Sequence, residues 1–590
     1  LPNFGHLDPL IGIHAPIKVF PEIGTFLNQA PTLQLGNVEP AAPSFIRQAA
    51  ELGPVLGWTR TQANGKGVIC RVWIKLAELS QALDVVETFL LNDQGQFVAG
   101  SYQQYAALPY PRFSIAVCDI ALPDAANYQI VVCGRYHGMP STDIAPIRAQ
   151  LLPPLPTAED ILQTLQGCEQ ALPNTSAADQ AACWQTYQTA HNAGQLTQFF
   201  SCAQLSPVAS QHAGAAQPKE SSCFALGSCR YSGSGMEIER GDHSMEQLVR
   251  HMQNSPAEWQ PALCLLMGDQ IYVDATAGVM ERKRRPELVF ERYIDAFGTS
   301  NARKLFASLP IYAMLDDHEI QNDWEPPQGK ISIFNQQWNS LAQACFLAYQ
   351  WANGPRNAHT NSADPACRGI WYDFESGGIP FFVMDTRLER SSRHAHLQGD
   401  TARIVSQSQM AALANWLQTC QRKYGTRPKF IISPSALAPI DREHAGQHRS
   451  RCDGWYAYPQ SIQDLADILI EGEISNVVML AGDLHACFAS KITLRNSSGA
   501  QATMHSIVFS PQYAPYSFIN SAIDDVHLDW PEKTALASPM PAPHFSYERI
   551  WEDEEYQGFG LVKLDCNDGN WCLTLSAPGR DEEFATITLG

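Results

Sequence analysis

The 590-residue sequence predicts an α/β protein preceded by an N-terminal all-β sandwich. Three observations lead there. Residues 55–150 hold short β-rich runs punctuated by Gly, Pro, Asn and Asp, the pattern of a small immunoglobulin- or fibronectin-like sandwich. From residue 221 onward, seven apolar runs alternate with amphipathic stretches, as in sheets covered by helices. A chain of this length also exceeds what one core supports, so two or more domains are expected.

The elements follow in order. Residues 1–54, rich in Pro, Gly and Asn, read as an extended arm. Within 55–150 the strand candidates are VICRVWIKL, ETFLLND, GQFVAGSY, RFSIAVCDI and NYQIVVCGRYH. Residues 151–220 read as a helical insert and linker. AEDILQTLQGCEQAL and AACWQTYQTAH repeat apolar residues at helical spacing, and a Ser/Ala/Gln-rich stretch follows. The last domain, 221–590, carries the runs CFALGS, ALCLLMGD, PIYAMLDD, IPFFVMDT, KFIISPS, NVVMLAGD and SIVFSP. Between them lie helical patterns such as SMEQLVRHMQ and SQSQMAALANWLQTC, and GFGLVKLDC with NWCLTLSAP predicts a closing hairpin.

Composition narrows the function classes. A chain 45% hydrophobic and 17% charged is globular rather than disordered, and no apolar run reaches the length of a membrane span. The formal net charge of −20 argues against duplex nucleic acid as a partner. It leaves small phosphate esters open as substrates, because bound cations can reverse the local field. Oligomeric state is not legible. None of the 16 cysteines forms paired CxxC spacing. Cys70, Cys118 and Cys133 read as buried thiols in strands, while pairing among Cys168, Cys183 and Cys202 is unreadable. Cysteine usage leans toward the cytoplasm, whereas the start at Leu1 fits a trimmed or exported chain.

Chemistry concentrates at strand ends. Five of the seven runs finish in polar, metal-competent residues: Cys229; Asp269 and Tyr272 in GDQIY; Asp316-Asp317-His318-Glu319; Asp385-Thr386-Arg387; and Asp483 with His485 in GDLH. Ligands of open α/β sheets bind outside the carboxyl ends of the strands, so five such ends predict one crevice. Taken alone, a GD at a strand end is ordinarily a turn. Three carboxylates within four residues are harder to dismiss, since they repel unless solvated or neutralised by a cation or a helix N-terminus.

The donor types divide. Asp269 has two oxygens with which to bridge two cations. Tyr272, three residues on, is a phenol that ionises readily only against a strongly acidic ion such as iron(III). Cys229 is a soft donor and His485 an imidazole for that same ion. Asp317 and Asp483 are hard oxygen donors suited to calcium, magnesium or manganese.

FALGSC, GDQIY, LDDHEIQNDW, MDTR, DGWYAYP and LAGDLH, in that order, resemble the alkaline phosphatase D-like (PhoD-type) branch of the calcineurin-like metallophosphoesterases. The resemblance covers about 221–590 and, more loosely, the sandwich. Purple acid phosphatases are also similar, but Cys229 stands where they have aspartate and Asp483 where they have histidine. The resemblance implies a four-layer α/β/β/α domain. It implies iron(III) at Cys229, Asp269, Tyr272 and His485, and calcium shared through Asp269 and Asp483, with zinc, manganese or magnesium as alternatives. The remaining calcium ligand is either Asp317, by motif position, or Asn322, by the asparagine following DDHE. His318 is a candidate proton donor to the leaving group. Arg387 and Arg230 are candidates to hold phosphate oxygens, against a rival reading as ion-pair partners of the site's own carboxylates. Trp324 and Trp455 read first as core, second as pocket walls.

The expected reaction is phosphate-ester hydrolysis, mono- or diester, by a metal-held hydroxide attacking phosphorus in line. Phospholipase-type hydrolysis at the same site is one alternative, and a non-catalytic relative used in surface assembly is another. Loops 391–400 and 441–456 are expected to wall the pocket.

Overall fold

The computed structural model describes residues 45–589 except 64, 66, 78–82, 109, 111–112, 125–126, 138–154, 174, 214–218, 233–234, 275–285, 328, 357–368, 393–401, 439–452, 516–544, 554 and 581. Most of the expected arm, and the expected wall loops over 393–400 and 441–452, lie outside the described residues.

The β-rich N-terminal runs fold into two facing sheets. One has five strands: Phe45–Gln48, Gln129–His137, Leu83–Leu91 and Gln103–Tyr105 in spatial order, with Ser201–Gln204 also pairing Gln129–His137. The other has three, Leu52–Thr61, Val68–Lys75 and Ile115–Leu122. Three details differ from expectation. Two strands lie in or begin within the stretch read as an arm, at Phe45–Gln48 and from Leu52. Pro54 and Gly57 disguised the second. Leu52–Thr61 is an edge strand, where Pro is tolerated, and a Cβ at residue 57 would sit 2.3 Å from Asn353. GQFVAGSY forms only an isolated bridge, Leu91 to Phe97. The helical insert contributes a strand, Ser201–Gln204, alongside helices such as Ala158–Leu165 and Ala177–Asn192.

All seven apolar runs are strands, divided between two further sheets. Ser221–Gly227, Cys264–Leu266 and Ile311–Ala313 are mutually parallel and form one side of a six-stranded sheet. The predicted hairpin, Gly560–Asn567 with Asn570–Ser576, extends it antiparallel. Ile379–Val383, Lys429–Ser433, Val477–Ala481 and Gln501–Val508 run parallel at the centre of a seven-stranded sheet.

The two sheets pack face to face, with Phe224 edge-on to Phe381 and Phe430 at 5.5 and 5.1 Å. Strand periodicity explains why the runs are apolar throughout. In Lys429–Ser433, Phe430 and Ile432 face the inter-sheet core while Ile431 faces a second core. That second core is closed by helices Gln407–Tyr424 and Pro459–Glu471 through Leu413, Leu417, Ile462 and Leu465. Met245 and Leu248 of helix Gly235–Asn254 enter the first core. The result is the expected α/β/β/α stack. The sandwich docks onto it: Trp73 Nε1 donates to Ala348 O at 2.7 Å, at the end of helix Ile333–Tyr349.

Candidate active site

Five strand ends do converge, and the backbone is bent to make them do so. Cys229, Asp269, Asp483 and His485 all have left-handed backbone, with φ of 54°, 54°, 69° and 48°. Such conformations cost energy for non-glycine residues and persist where the surroundings over-determine them. The glycines of the two GD motifs act differently from simple turns. A Cβ on Gly268 would lie 2.4 Å from Asp316 Cβ, and one on Gly482 2.3 Å from Ser228 Oγ. Each glycine therefore lets two strand-end loops touch, and Gly482 joins the two sheets. Backbone bonds complete the lock: Arg230 N–H donates to Asp269 O at 2.9 Å and Gln512 N–H to Ser228 O at 2.7 Å.

On one side, Cys229 Sγ donates to Asp269 Oδ2 at 3.4 Å, and Tyr272 Oη and His485 Nε2 lie 3.5 Å apart. On the other, oxygens of Asp269, Asp316, Asp317 and Asp483 lie within 4.8 Å of one another. Asp269 and Asp317, with His318, make a further set at the same spacing. Of the two alternatives for the last hard ligand, Asp317 is in the carboxylate cluster. Asn322 is on the cleft wall, its N–H donating to Asp274 Oδ2 at 2.7 Å.

Electrostatics tests whether this donor set suits cations. Burial, then the charges of Cys229 and Asp317, push the Asp269 carboxyl well above its usual range. Burial, then Asp316, does the same to Asp483. Burial, then Asp483, pushes the Cys229 thiol up to about 12. Asp317 is held low: burial raises it, but Arg387 and His318 outweigh that. The negative charge therefore exceeds what the protein itself neutralises. Among the described residues, buried Asp316 Oδ2 and Asp317 Oδ1 have no hydrogen bond, although Asp317 Oδ1 faces Arg387 Nη2 at 3.3 Å. Buried carboxylates that share one guanidinium, beside a thiol, a phenol and an imidazole, fit one hard and one softer cation.

The arginines separate. Arg387 is fully buried and pairs with four carboxylates: Asp316, Asp317, Asp453 and Asp483. The ion-pair reading thus describes it, and Arg390 shares Asp453 at 2.8 Å. Arg230 is not gathered with the cluster; its Nη2 donates to Ala296 O at 2.9 Å. Two carboxylates of the strand ends are structural. Glu319 accepts backbone N–H groups from Asp269, Gln270, Ile271 and Asp316 at 2.9–3.3 Å. Asp385 Oδ1 accepts from the N–H groups of Arg387 and Leu388 at 3.0 and 2.9 Å. Trp324 and Trp455 are core residues, Trp455 Nε1 donating to Ser433 Oγ at 3.0 Å.

Asp274 is the residue that sequence reasoning missed. Its Oδ1 meets His318 Nδ1 at 2.8 Å. Burial alone lowers the His318 pKa, but Asp317, Asp269 and Asp274 carry it well above the usual value. His318 stacks on Tyr272 with ring centroids 4.2 Å apart. Both line a cleft of ≈ 280 Å³ with Tyr231, Asp274, Asn322 and His485. The signal available was spacing, since Asp274 follows Asp269 by five residues on the same strand-end turn.

The model of the PhoD-like phosphatase family matches residues 225–571. The chain belongs to that family. Phosphate-ester hydrolysis is accordingly its reaction class. A solved structure titled "Structure of PhoD" has a TM-score of 0.52 and 14% identity, covering 94% of this chain and 90% of that one. At that identity it is evidence of the fold, and it extends the likeness through the sandwich. No curated protein sequence matches the chain. All cysteines among the described residues are free, including Cys168, Cys183, Cys202 and Cys229. Among the described residues no helix is long and apolar enough to cross a membrane.

Proposed function

We propose that this PhoD-like phosphatase hydrolyses small phosphate esters with water as the nucleophile and two cations held in the strand-end crevice. The observation that supports this best is the position of Asp269. One carboxylate oxygen lies 3.4 Å from the Cys229 sulfur, and the side chain also belongs to the cluster of Asp316, Asp317 and Asp483. It is the shared corner of a soft and a hard donor set.

Cys229, Asp269, Tyr272 and His485 would hold iron(III), and Asp269, Asp317 and Asp483 would hold calcium; zinc, manganese and magnesium are the alternatives. Bound there, such cations supply Lewis acidity for the attacking water and neutralise charge on the phosphoryl oxygens. The chain's own groups do the rest. Arg387 fixes Asp317 and Asp483 in place, and its single charge lowers the repulsion between them. Asp274 holds His318 by Nδ1, leaving Nε2 to deliver a proton to the leaving oxygen at the cleft. Tyr272 supports the imidazole ring from one face.

The test is elemental analysis of wild type and Asp269→Asn, with chromogenic monoester and diester assays across pH. Wild type is expected to carry two metals, to work best at alkaline pH and to lose activity to a calcium chelator. A thiolate and a phenolate donate charge to the tight cation and damp its acidity, which moves the working pH upward. Asp269→Asn is expected to lose both metals and hydrolysis together. Near-normal activity in that variant, or an acidic optimum indifferent to chelation, overturns the reading.

A further inference from the structure

A second cleft, ≈ 280 Å³, opens where the sandwich, the helical insert and the α/β layers meet. Its apolar walls are Trp58, Leu162 and Trp351, and the guanidinium groups of Arg60, Arg71 and Arg356 line it. None of its lining residues lines the catalytic cleft.

Its charges do not cancel. Asp119 accepts from Arg60 Nη2 at 2.8 Å and from Arg71 Nε and Nη2 at 2.7 and 3.0 Å. Glu169 accepts from Arg356 Nη2 at 2.6 Å. Among the described lining residues, three guanidinium groups against two carboxylates leave one positive charge, within a chain whose formal net charge is −20. The donors are not all used either. Arg71 Nη1 donates to Gly354 O at 2.6 Å, and Arg356 Nη1 to Leu165 O. Among the described residues, no acceptor meets the buried atoms Arg60 Nη1 and Arg356 Nε. An unmet donor on a buried charged group is costly, and native structures rarely leave one without a reason.

Two further features concern these same residues. Arg356 has left-handed backbone, φ 54°, a strained state for a non-glycine residue. Trp58 lies 4.2 Å from the Arg60 guanidinium and 5.2 Å from that of Arg71, so aromatic surface and cation are presented together. Arg71 and Arg356 are held rigid, at 2% and 7% side-chain exposure, while Arg60 at 31% can turn toward an incoming group.

We propose that this junction cleft binds a small organic monoanion, its oxyanion meeting Arg60 and Arg356 and its flat body lying against Trp58 and Trp351. A single negative charge balances the odd guanidinium and supplies the missing acceptors. The volume, at the low end of ligand pockets, limits the body to about one ring. A carboxylate carries that one charge at neutral pH, whereas a phosphate monoester presents the same kind of oxyanion with nearly two, so the carboxylate is the closer match to the odd guanidinium.

The experiment is calorimetric titration of the full chain after chelation of metals, with benzoate, phenyl phosphate, inorganic phosphate and phenol as separate probes. Saturable binding of an aromatic anion is expected, weakened about tenfold or more in Arg60→Gln and Arg356→Gln and unchanged in Asp269→Asn. The last comparison separates this cleft from the catalytic one. Inorganic phosphate lacks the body and phenol the charge, so both are expected to bind more weakly than the aromatic anions. The better of benzoate and phenyl phosphate identifies the oxyanion. If Arg356→Gln fails to fold, the partly exposed Arg60 decides the matter alone. No saturable binding of either aromatic anion, or binding insensitive to the Arg60 substitution, overturns the proposal.

Discussion

Glu319 Oε2 accepts the backbone N–H of Asp269 at 3.1 Å and that of Asp316 at 3.0 Å, so one carboxylate buckles two strand ends together. Oε1 takes Gln270 and Ile271 N–H at 2.9 and 3.3 Å. Glu319→Gln keeps one oxygen and turns an NH2 toward donors. It is expected to cost ~1–3 kcal/mol of stability by leaving buried N–H groups unmet. Urea unfolding with metals chelated checks this. A variant as stable as wild type would mean that those groups find other acceptors.

Tyr272 and Cys229 carry a spectroscopic prediction. With iron(III) beside a phenolate, concentrated protein is expected to show a visible charge-transfer band that disappears in Tyr272→Phe. Cys229→Ser is expected to lose the tight metal while far-ultraviolet circular dichroism is preserved, because Cys229 is a free thiol at a strand end and no disulfide goes with it. A colourless protein with stoichiometric zinc would assign the softer set to another ion.

The Asp274–His318 contact predicts a dependence on leaving group. Asp317 and Asp269 do most to raise the His318 pKa; Asp274→Asn removes a further contribution and the acceptor at Nδ1. Hydrolysis of alkyl phosphates, whose leaving oxygen needs a proton, is expected to fall ~10-fold or more. Nitrophenyl esters, which leave as stable anions, are expected to fall much less. Equal losses for both ester types would remove His318 from the proton-donor role.

Away from the site, His212 is buried against Gly377, and burial lowers its pKa from 6.5 to about 4. The unfolded chain therefore binds a proton near pH 6.5 that the folded chain refuses until about 4. Stability from this group is complete above pH 6.5 and is lost as pH falls toward 4, a change of about 3 kcal/mol. His212→Asn is expected to flatten the stability profile over that window alone. An unchanged slope between pH 4 and 6.5 would show that His212 titrates normally in the fold.

The fold was legible where periodicity is local. The runs KFIISPS and NVVMLAGD declared themselves as doubly buried strands because both faces of each are apolar. Leu52–Thr61 did not, because its Pro54 and Gly57 look like breakers until the edge position and the approach of Asn353 are known. The assignment of the runs to two sheets was equally hidden. Each run states only that it is buried, not against what.

For the site, sequence alone determined which strand ends carry donors: a buried run that stops just before Cys229, Asp269 or Asp483 places that residue beyond the carboxyl end of its strand. Tertiary structure decided what each donor touches. Glu319 and Asp317 stand two residues apart in one motif, yet one buckles backbone 50 residues away while the other joins the carboxylate cluster. Arg387, a candidate for phosphate or for ion pairing, is bound to Asp316 and Asp453, 71 and 66 residues distant. Asp274 acquires an imidazole partner only because His318, 44 residues on, folds beside it. Strand ends are set by hydrophobicity over a few residues. The charge, desolvation and partner of a carboxylate are set by groups far along the chain, and only the packed sheets bring those groups within reach.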